Sequence, residues 1–255
     1  MKKLCFSLFL LALTLTSCSN DNEQTAPVVT DPNSILVKKT IDTSPSPNPQ
    51  SITNYNYSGN KLLNTIDNEG GKDVYTYTSD LITKIEFFRN NILLSTQLFV
   101  YNSNKKLIEH KYFNNYNNSE GLRKTFVHNA NNTISCNEYS GDFTTQNQFE
   151  SSAIIYDNKI ETTSQGIIYK DFFTFDNKNN PYKNILGFDK ISFIYDTRIS
   201  FSNYTQNVVS SYSIDPATNQ QINPSNSVIT YNTNNFPILD VTTSYGDENK
   251  IEYFY

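Results

Sequence analysis

Apolar and polar residues alternate with a period of two along most of this chain. In Leu81 to Arg89, Leu81, Ile85 and Phe87 fall on one face, and Lys84 and Glu86 fall on the other, shared with Ile82 and Phe88. In Ile251 to Tyr255, Ile251, Tyr253 and Tyr255 alternate with Glu252 and Phe254. That period belongs to half-buried strands. Ile35 to Ile41 is the first strand it predicts, and the prolines of Ser44 to Pro49 break the ladder after it. From Ser51 to Tyr255 the texture does not change. Helical spacing is nearly absent, with room for one turn at Tyr182 to Leu186. The apolar runs are rich in Tyr and Phe, with 18 and 17 copies, and in β-branched residues, all suited to pleated surfaces. Asn-rich and Gly-containing clusters separate them, such as Ser58-Gly59-Asn60, Asn131-Asn132 and Asn232 to Asn235. Asn tolerates the left-handed backbone of tight hairpins and can stand in for Gly there.

The strands repeat. Tyr55 to Leu63, Tyr75 to Ile82 and Phe99 to Ile108 each read aromatic, any residue, aromatic, then a polar turn, then apolar residues opening the next strand. Degenerate copies follow at Ile154 to Ile160, Phe173 to Lys178 and Ile229 to Phe236. One unit is a hairpin of two strands. About eight units fit between Ser51 and Tyr255, which predicts roughly sixteen strands. The fold expected is all-β: a single antiparallel β-meander forming an open curved sheet or an incompletely closed barrel.

The pattern resembles the YD (Rhs) repeats of bacterial surface proteins, although their strict Gly and Tyr-Asp positions are mostly missing. It is more closely similar to exported Bacteroidota lipoproteins of unknown function that carry YD-like hairpins, some described as having a porin-like sheet. Phe173 to Asn184 is the most family-like stretch, and the resemblance covers residues 51 to 255. It implies no activity.

The amino end adds an address. Lys2 and Lys3 precede the apolar run Leu4 to Leu15, too short to cross a bilayer as a mature helix, and Leu15-Thr16-Ser17-Cys18 follows. These four residues resemble the lipobox of bacterial lipoproteins. The resemblance implies cleavage before Cys18, diacylglycerol on its thiol and acylation of the new amino group, since stable anchoring takes more than one acyl chain. Residues 1–17 are then a signal peptide, 18–33 a flexible tether with Pro27 and Pro32, and 34–255 the β domain. Ser19 to Glu23 resembles the acidic signal that directs Bacteroidota lipoproteins to the cell surface. The expected place is therefore the outer membrane, with the cell surface favoured over its periplasmic face.

Charge and cysteine content narrow the function. Without residues 1–17 the chain keeps 238 residues, with 18 basic against 25 acidic side chains and no Lys/Arg-rich run, so nothing marks a nucleic-acid partner. Cys136 is then the only thiol besides Cys18, so no intramolecular disulfide is expected, and its place in a strand-like stretch reads as a buried structural thiol. His110 and His128 stand 18 apart with no metal-ligand spacing around them, and His128 occupies an aromatic slot of the repeat. Asp67 to Asp73 fails the calcium-loop spacing and reads as a hairpin turn, while adjacent Asp247 and Glu248 point to opposite faces of a strand. No cofactor is implied and no catalytic constellation stands out.

The candidate ligand-binding aromatics are Tyr57, Tyr77 and Tyr101, whose rings could stack on sugars or peptides if exposed. The function expected is a membrane-anchored, non-catalytic envelope lipoprotein that binds glycan or protein or serves an assembly. One alternative is an envelope hydrolase with a site assembled from different strands. A second is an outer-membrane barrel, supported by the alternating carboxyl end Tyr253-Phe254-Tyr255, which resembles the terminal strand of such barrels, and opposed by the chain's low mean hydropathy.

Overall fold

The computed structural model describes residues 35–44, 50–116, 120–194 and 205–255; the signal, Cys18 and tether readings lie outside them. Among the described residues are sixteen strands and one short helix. The strands are β1 (Lys39–Thr43), β2 (Ser51–Ser58), β3 (Lys61–Asp67), β4 (Gly71–Thr78), β5 (Leu81–Arg89), β6 (Ile92–Tyr101), β7 (Leu107–Asn114), β8 (Glu120–His128), β9 (Ile134–Gly141), β10 (Gln146–Ile155), β11 (Lys159–Ser164), β12 (Ile167–Phe175), β13 (Val208–Ile214), β14 (Gln221–Tyr231), β15 (Pro237–Ser244) and β16 (Asp247–Phe254). The helix, α1 (Phe188–Ile191), lies in the connection from β12 to β13. The strand count and the meander agree with the hairpin repeat.

Each strand pairs antiparallel with its sequence neighbours, and β1 pairs with β16 from Lys39↔Phe254 to Thr43↔Lys250, so the sheet is a closed barrel. This corrects the open or incompletely closed sheet expected above. Alternation reports which face a residue takes but not how far a sheet curves. Closure was decided by the pairing of the first and last strands, which leaves no unpaired edge.

The curvature has a local source. Register shifts recur at Asn56/Tyr57, Thr76/Tyr77, Val100/Tyr101, Thr174/Phe175 and Thr230/Tyr231, each time beside the second aromatic of a repeat unit. A bulge there bends the strand and re-aims the ring into the lumen. The turns use Asn as anticipated: Asn90, Asn91, Asn132, Asn219 and Asn235 take positive φ, as do Ser79, Lys105, Gln165 and Tyr245.

One end of the barrel is plugged. After β12 the chain turns into the lumen, where Ile185, Phe188, Ile191 and Ile194 pack with Leu62, Ile82, Leu107, Phe126 and Cys136 in one core. Leu36 belongs to the same core, and Ile35 and Val37 are buried beside it. The strand expected from Ile35 therefore begins only at Lys39. Three consecutive apolar residues fill the plugged end instead of alternating across the wall. The single turn expected at Tyr182 to Leu186 is present, with the Ile185 N–H donating to the Tyr182 carbonyl at 3.0 Å, and α1 follows it.

Gly187 lets the plug seat. Its φ is +82°, and a Cβ there would lie 2.9 Å from the Asp80 carbonyl oxygen. Both the backbone and the neighbour oppose a side chain, so Gly187→Ala is expected to cost about 1–3 kcal/mol. Calorimetric unfolding would show this as a lowered Tm.

Candidate functional site

Directly paired residues on neighbouring strands share a face, so the two surfaces of the wall can be followed around the barrel. On the outside, one row runs Lys84, Leu98, Lys111, Arg123, Tyr139, Phe149. Another runs Phe254, Lys39, Asn54, Ile66, Lys72, Phe88. Both rows mix charge with apolar groups. Ion pairs lie on this outer face, Lys84–Glu86 at 2.8 Å, Lys111–Glu109 at 3.4 Å and Lys159–Glu161 at 2.9 Å. Arg123 stacks over the Tyr139 ring at 4.6 Å. Isolated apolar groups such as Val127 and Val228 are exposed among them.

The inside follows the repeat. Tyr55 and Tyr57, Tyr75 and Tyr77, Phe99 and Tyr101, Phe126 and His128 point inward in successive even-numbered strands and form two rings of side chains at the plugged end. The polar tips are used on backbone. Tyr57 donates to the Val37 carbonyl at 2.8 Å, Tyr101 to that of Ile82 at 2.6 Å, and Tyr255 to that of Pro237 at 2.8 Å. The Tyr77 hydroxyl accepts from the Leu62 N–H at 3.1 Å, and His128 Nε2 donates to the Leu107 carbonyl at 2.8 Å. Each unit thus fastens itself to the residue that opens or precedes a strand of the adjoining hairpin. Burial pushes the Tyr57 and Tyr101 phenols well up and Tyr77 to about 12, with neighbouring tyrosines adding to the first and Asp189 to the second. Tyr57, Tyr77 and Tyr101 therefore line the wall of the plugged end as packing groups with bonded hydroxyls, and His128 fills an aromatic slot with its ring edge-on to Phe193.

One unit departs from the pattern. The sequence aligns Tyr156 with the aromatic slot, but in β10 the inward positions are Ala153 and Ile155, paired with Cys136 and Ile134. Tyr156 is one residue out of phase and bonds Glu161 instead. A shift of one residue exchanges faces. Ala153 and Ile155 thus stand where other units place rings, and beside them lies a cavity of about 840 Å³. Phe126, Cys136, Phe193 and Ile194 form its floor, and its walls carry Lys124, Glu138, Asp171 and Ser213, reaching Pro216 in the turn at the open end and Asn223 near the start of β14. Lys124 Nζ lies 3.0 Å from Glu138, its cross-strand partner, and Ser213 donates to Asp171 at 2.6 Å. Leu122 separates this chamber from a second cavity of about 540 Å³ lined by Phe87, Gln97, Tyr112 and Asn114.

Sequence reasoning did not nominate Lys124, Glu138, Asp171 or Ala153. The signal was present. Each charged residue stands two positions from an inward apolar residue, Phe126, Cys136 or Phe173, and so shares its inward phase. Cys136 is a buried thiol, as read from the sequence. The Asp67 stretch is a hairpin turn, with Asp67 Oδ1 accepting from the Glu69 and Gly71 N–H groups at 2.8 and 2.7 Å. Among the described residues no three His, Cys, Asp or Glu side chains gather as a metal site.

No protein-family model matches this chain, and no curated protein matches it. Solved structures do. A porin-like protein from Bacteroides vulgatus superposes with a TM-score of 0.56 at 11% identity, covering 87% of this chain and 98% of that one. A porin-like protein from Bacteroides uniformis gives a TM-score of 0.49 at 8% identity, covering 86% and 97%. The first likeness shows the fold: this chain shares the barrel architecture of a porin-like protein. On architecture, a barrel has the better support than the open module expected from sequence.

Proposed function

We propose that this chain is a non-catalytic barrel of the bacterial envelope, standing in water rather than in lipid, and that its open chamber holds a ligand. One observation carries the reading. The outer face lacks the continuous apolar band that a spanning pore presents to lipid. Charged side chains lie at mid-height on that face, while the lumen holds an apolar, aromatic core at its plugged end and polar groups such as Lys124, Glu138 and Asp171 toward its open end. A single Arg or Lys on the lipid face near the bilayer midplane costs about 2–4 kcal/mol, and Lys84, Lys111, Arg123 and Lys170 would all face lipid. The strands support this. Most have fewer residues than the roughly 9–11 that cross a bilayer, and β1 has 5.

The chamber combines aromatic faces (Phe126, Tyr169, Phe173, Phe193) with paired charges and hydroxyls. That lining suits a ligand with a flat apolar face and several hydroxyl or charged groups, a description that a short glycan meets. Ala153→Phe restores the missing ring and narrows the chamber. It is expected to leave the fold intact and to abolish binding in calorimetric titration with an oligosaccharide panel, while Asp171→Asn weakens binding about tenfold. Binding unchanged in Ala153→Phe would move the site elsewhere.

The outer-membrane barrel is the second reading. It is favoured by closure of the sheet and by likeness to a porin-like protein. Replacing residues 1–18 with a cleavable signal that lacks a lipidated cysteine separates the two. The solvated barrel is then recovered without detergent, whereas a spanning barrel stays in the membrane and resists carbonate extraction.

A further inference from the structure

The two ends of the barrel carry opposite charge. At the plugged end Lys38, Lys61, Lys105, Lys106, Lys178 and Lys183 lie in turns or at strand ends, and none of them is buried. Acidic groups are fewer there. Asp80 lies 4.0 Å from Lys105, Asp176 accepts from Asn207, the Lys178 N–H and Tyr231, Asp189 pairs with Lys190, and Asp157 is exposed in the turn after β10. At the open end the balance reverses, with Asp42, Asp67, Glu69, Asp142, Asp247 and Glu248 in or beside the turns. The cations among them are Lys72 and Arg89, the latter 3.5 Å from Glu69.

Exposed apolar side chains lie on the outer rim of the plugged end, Leu63, Val100, Ile108, Val127 and Ile154 within two residues of a strand end and Phe254 at one; Ile92, Tyr116, Ile167 and Tyr245 are exposed at the open end, so charge distinguishes the two faces. The chain also enters the barrel at the plugged end: Lys38 N–H bonds the Phe254 carbonyl and Asn184 bonds that of Ile35. Ile35, the first described residue, therefore lies at the basic face.

We propose that the plugged end is a docking face for an anionic phospholipid bilayer, which holds the open mouth pointing away from the membrane. This rests on the solvated-wall reading. Lysines attract an anionic leaflet within a Debye length of about 8 Å at physiological salt, the apolar rim supplies side chains for the headgroup boundary, and the acidic mouth is repelled by the same surface. The orientation leaves the chamber open to solvent, where a ligand can reach it.

The test uses the full-length chain reconstituted into vesicles of phosphatidylcholine, alone or mixed equally with phosphatidylglycerol. A fluorophore is placed at the plugged end (Thr233→Cys), on the mid-wall (Asn137→Cys) or at the open end (Asn91→Cys), each an exposed position, with Cys136 buried. Energy transfer to a headgroup acceptor reports height, and an acyl-chain quencher reports lipid contact. In the anionic vesicles transfer from position 233 exceeds that from position 91, and high salt lowers it. Lys105→Glu, Lys106→Glu and Lys178→Glu together reduce the docked-to-undocked ratio about a hundredfold, at roughly fivefold for each basic side chain. Lys72→Glu, near the mouth, leaves the ratio unchanged. Transfer from position 233 that ignores anionic lipid, salt and the triple substitution, with position 137 unquenched, overturns the docking face alone. Quenching at position 137 places the wall in lipid and overturns the solvated-wall reading together with it.

Discussion

Phe188→Ala is expected to lower the unfolding free energy by about 3–5 kcal/mol, the usual cost of removing a fully packed aromatic ring. Phe188 is 2% exposed and sits where the plug meets the wall. Its ring lies 6.2 Å from that of Tyr75 and 6.1 Å from that of Tyr182, which in turn lies 6.1 Å from Tyr55. Truncation leaves a void among rings held by a closed ladder, so the wall cannot collapse to fill it. The loss is large against the roughly 5–15 kcal/mol of a typical native state. Urea unfolding measures it as a lower midpoint with an unchanged slope. A loss below about 1 kcal/mol would mean that the wall stands without its plug.

A cooperative alkaline unfolding is the second large effect. Tyr55, Tyr75, Tyr182 and Tyr253 are held in the lumen, and burial raises each phenol above its ordinary value of 10.0; nearby Asp73 adds to this for Tyr75, and Asp240 for Tyr253. The sign follows from the direction of these shifts. Below about pH 10 both the folded and the unfolded chain keep these protons, and stability is at its full value. As pH rises above that, the unfolded chain releases them first and stability falls. Each such group contributes up to about 1.4 kcal/mol per pH unit, so four together remove about 5 kcal/mol per unit. The barrel is expected to hold through pH 9 and to unfold within one to two units above pH 10. Tyrosinate absorbance and far-ultraviolet dichroism should then change together. Tyrosinate forming around pH 10 in a barrel that stays folded would contradict the burial of these rings.

Much of the architecture was legible in the chain. The aromatic, any residue, aromatic pattern of Tyr55-Asn56-Tyr57 marks the inward end of an even-numbered strand, and the polar turns between units fall where the hairpins turn. The meander and its sixteen strands follow from counting those units. Closure was not legible, because it depends on Lys39 to Asp42 meeting Ile251 to Phe254 across nearly the whole chain. The plug was hidden for a different reason. Ile185, Phe188, Ile191 and Ile194 form a short apolar series inside what the repeat presents as a turn, and only a closed lumen gives that series somewhere to go. The chamber was obscured by Tyr156, which matched the repeat by type while Ala153 and Ile155 held the inward positions. Lys124, Glu138 and Asp171 could be found only by following the inward phase through charged residues, which the ordinary rule of apolar-inside alternation assigns to solvent.

What surrounds the outer wall decides between a barrel in water and a barrel in lipid. Small-angle neutron scattering measures that directly, on the chain with residues 1–18 replaced by a cleavable signal and with detergent present but contrast-visible against a matched protein. A bare barrel, with no detergent density around Lys84, Lys111 and Arg123, is the predicted result. A detergent belt encircling the barrel at mid-height would contradict it.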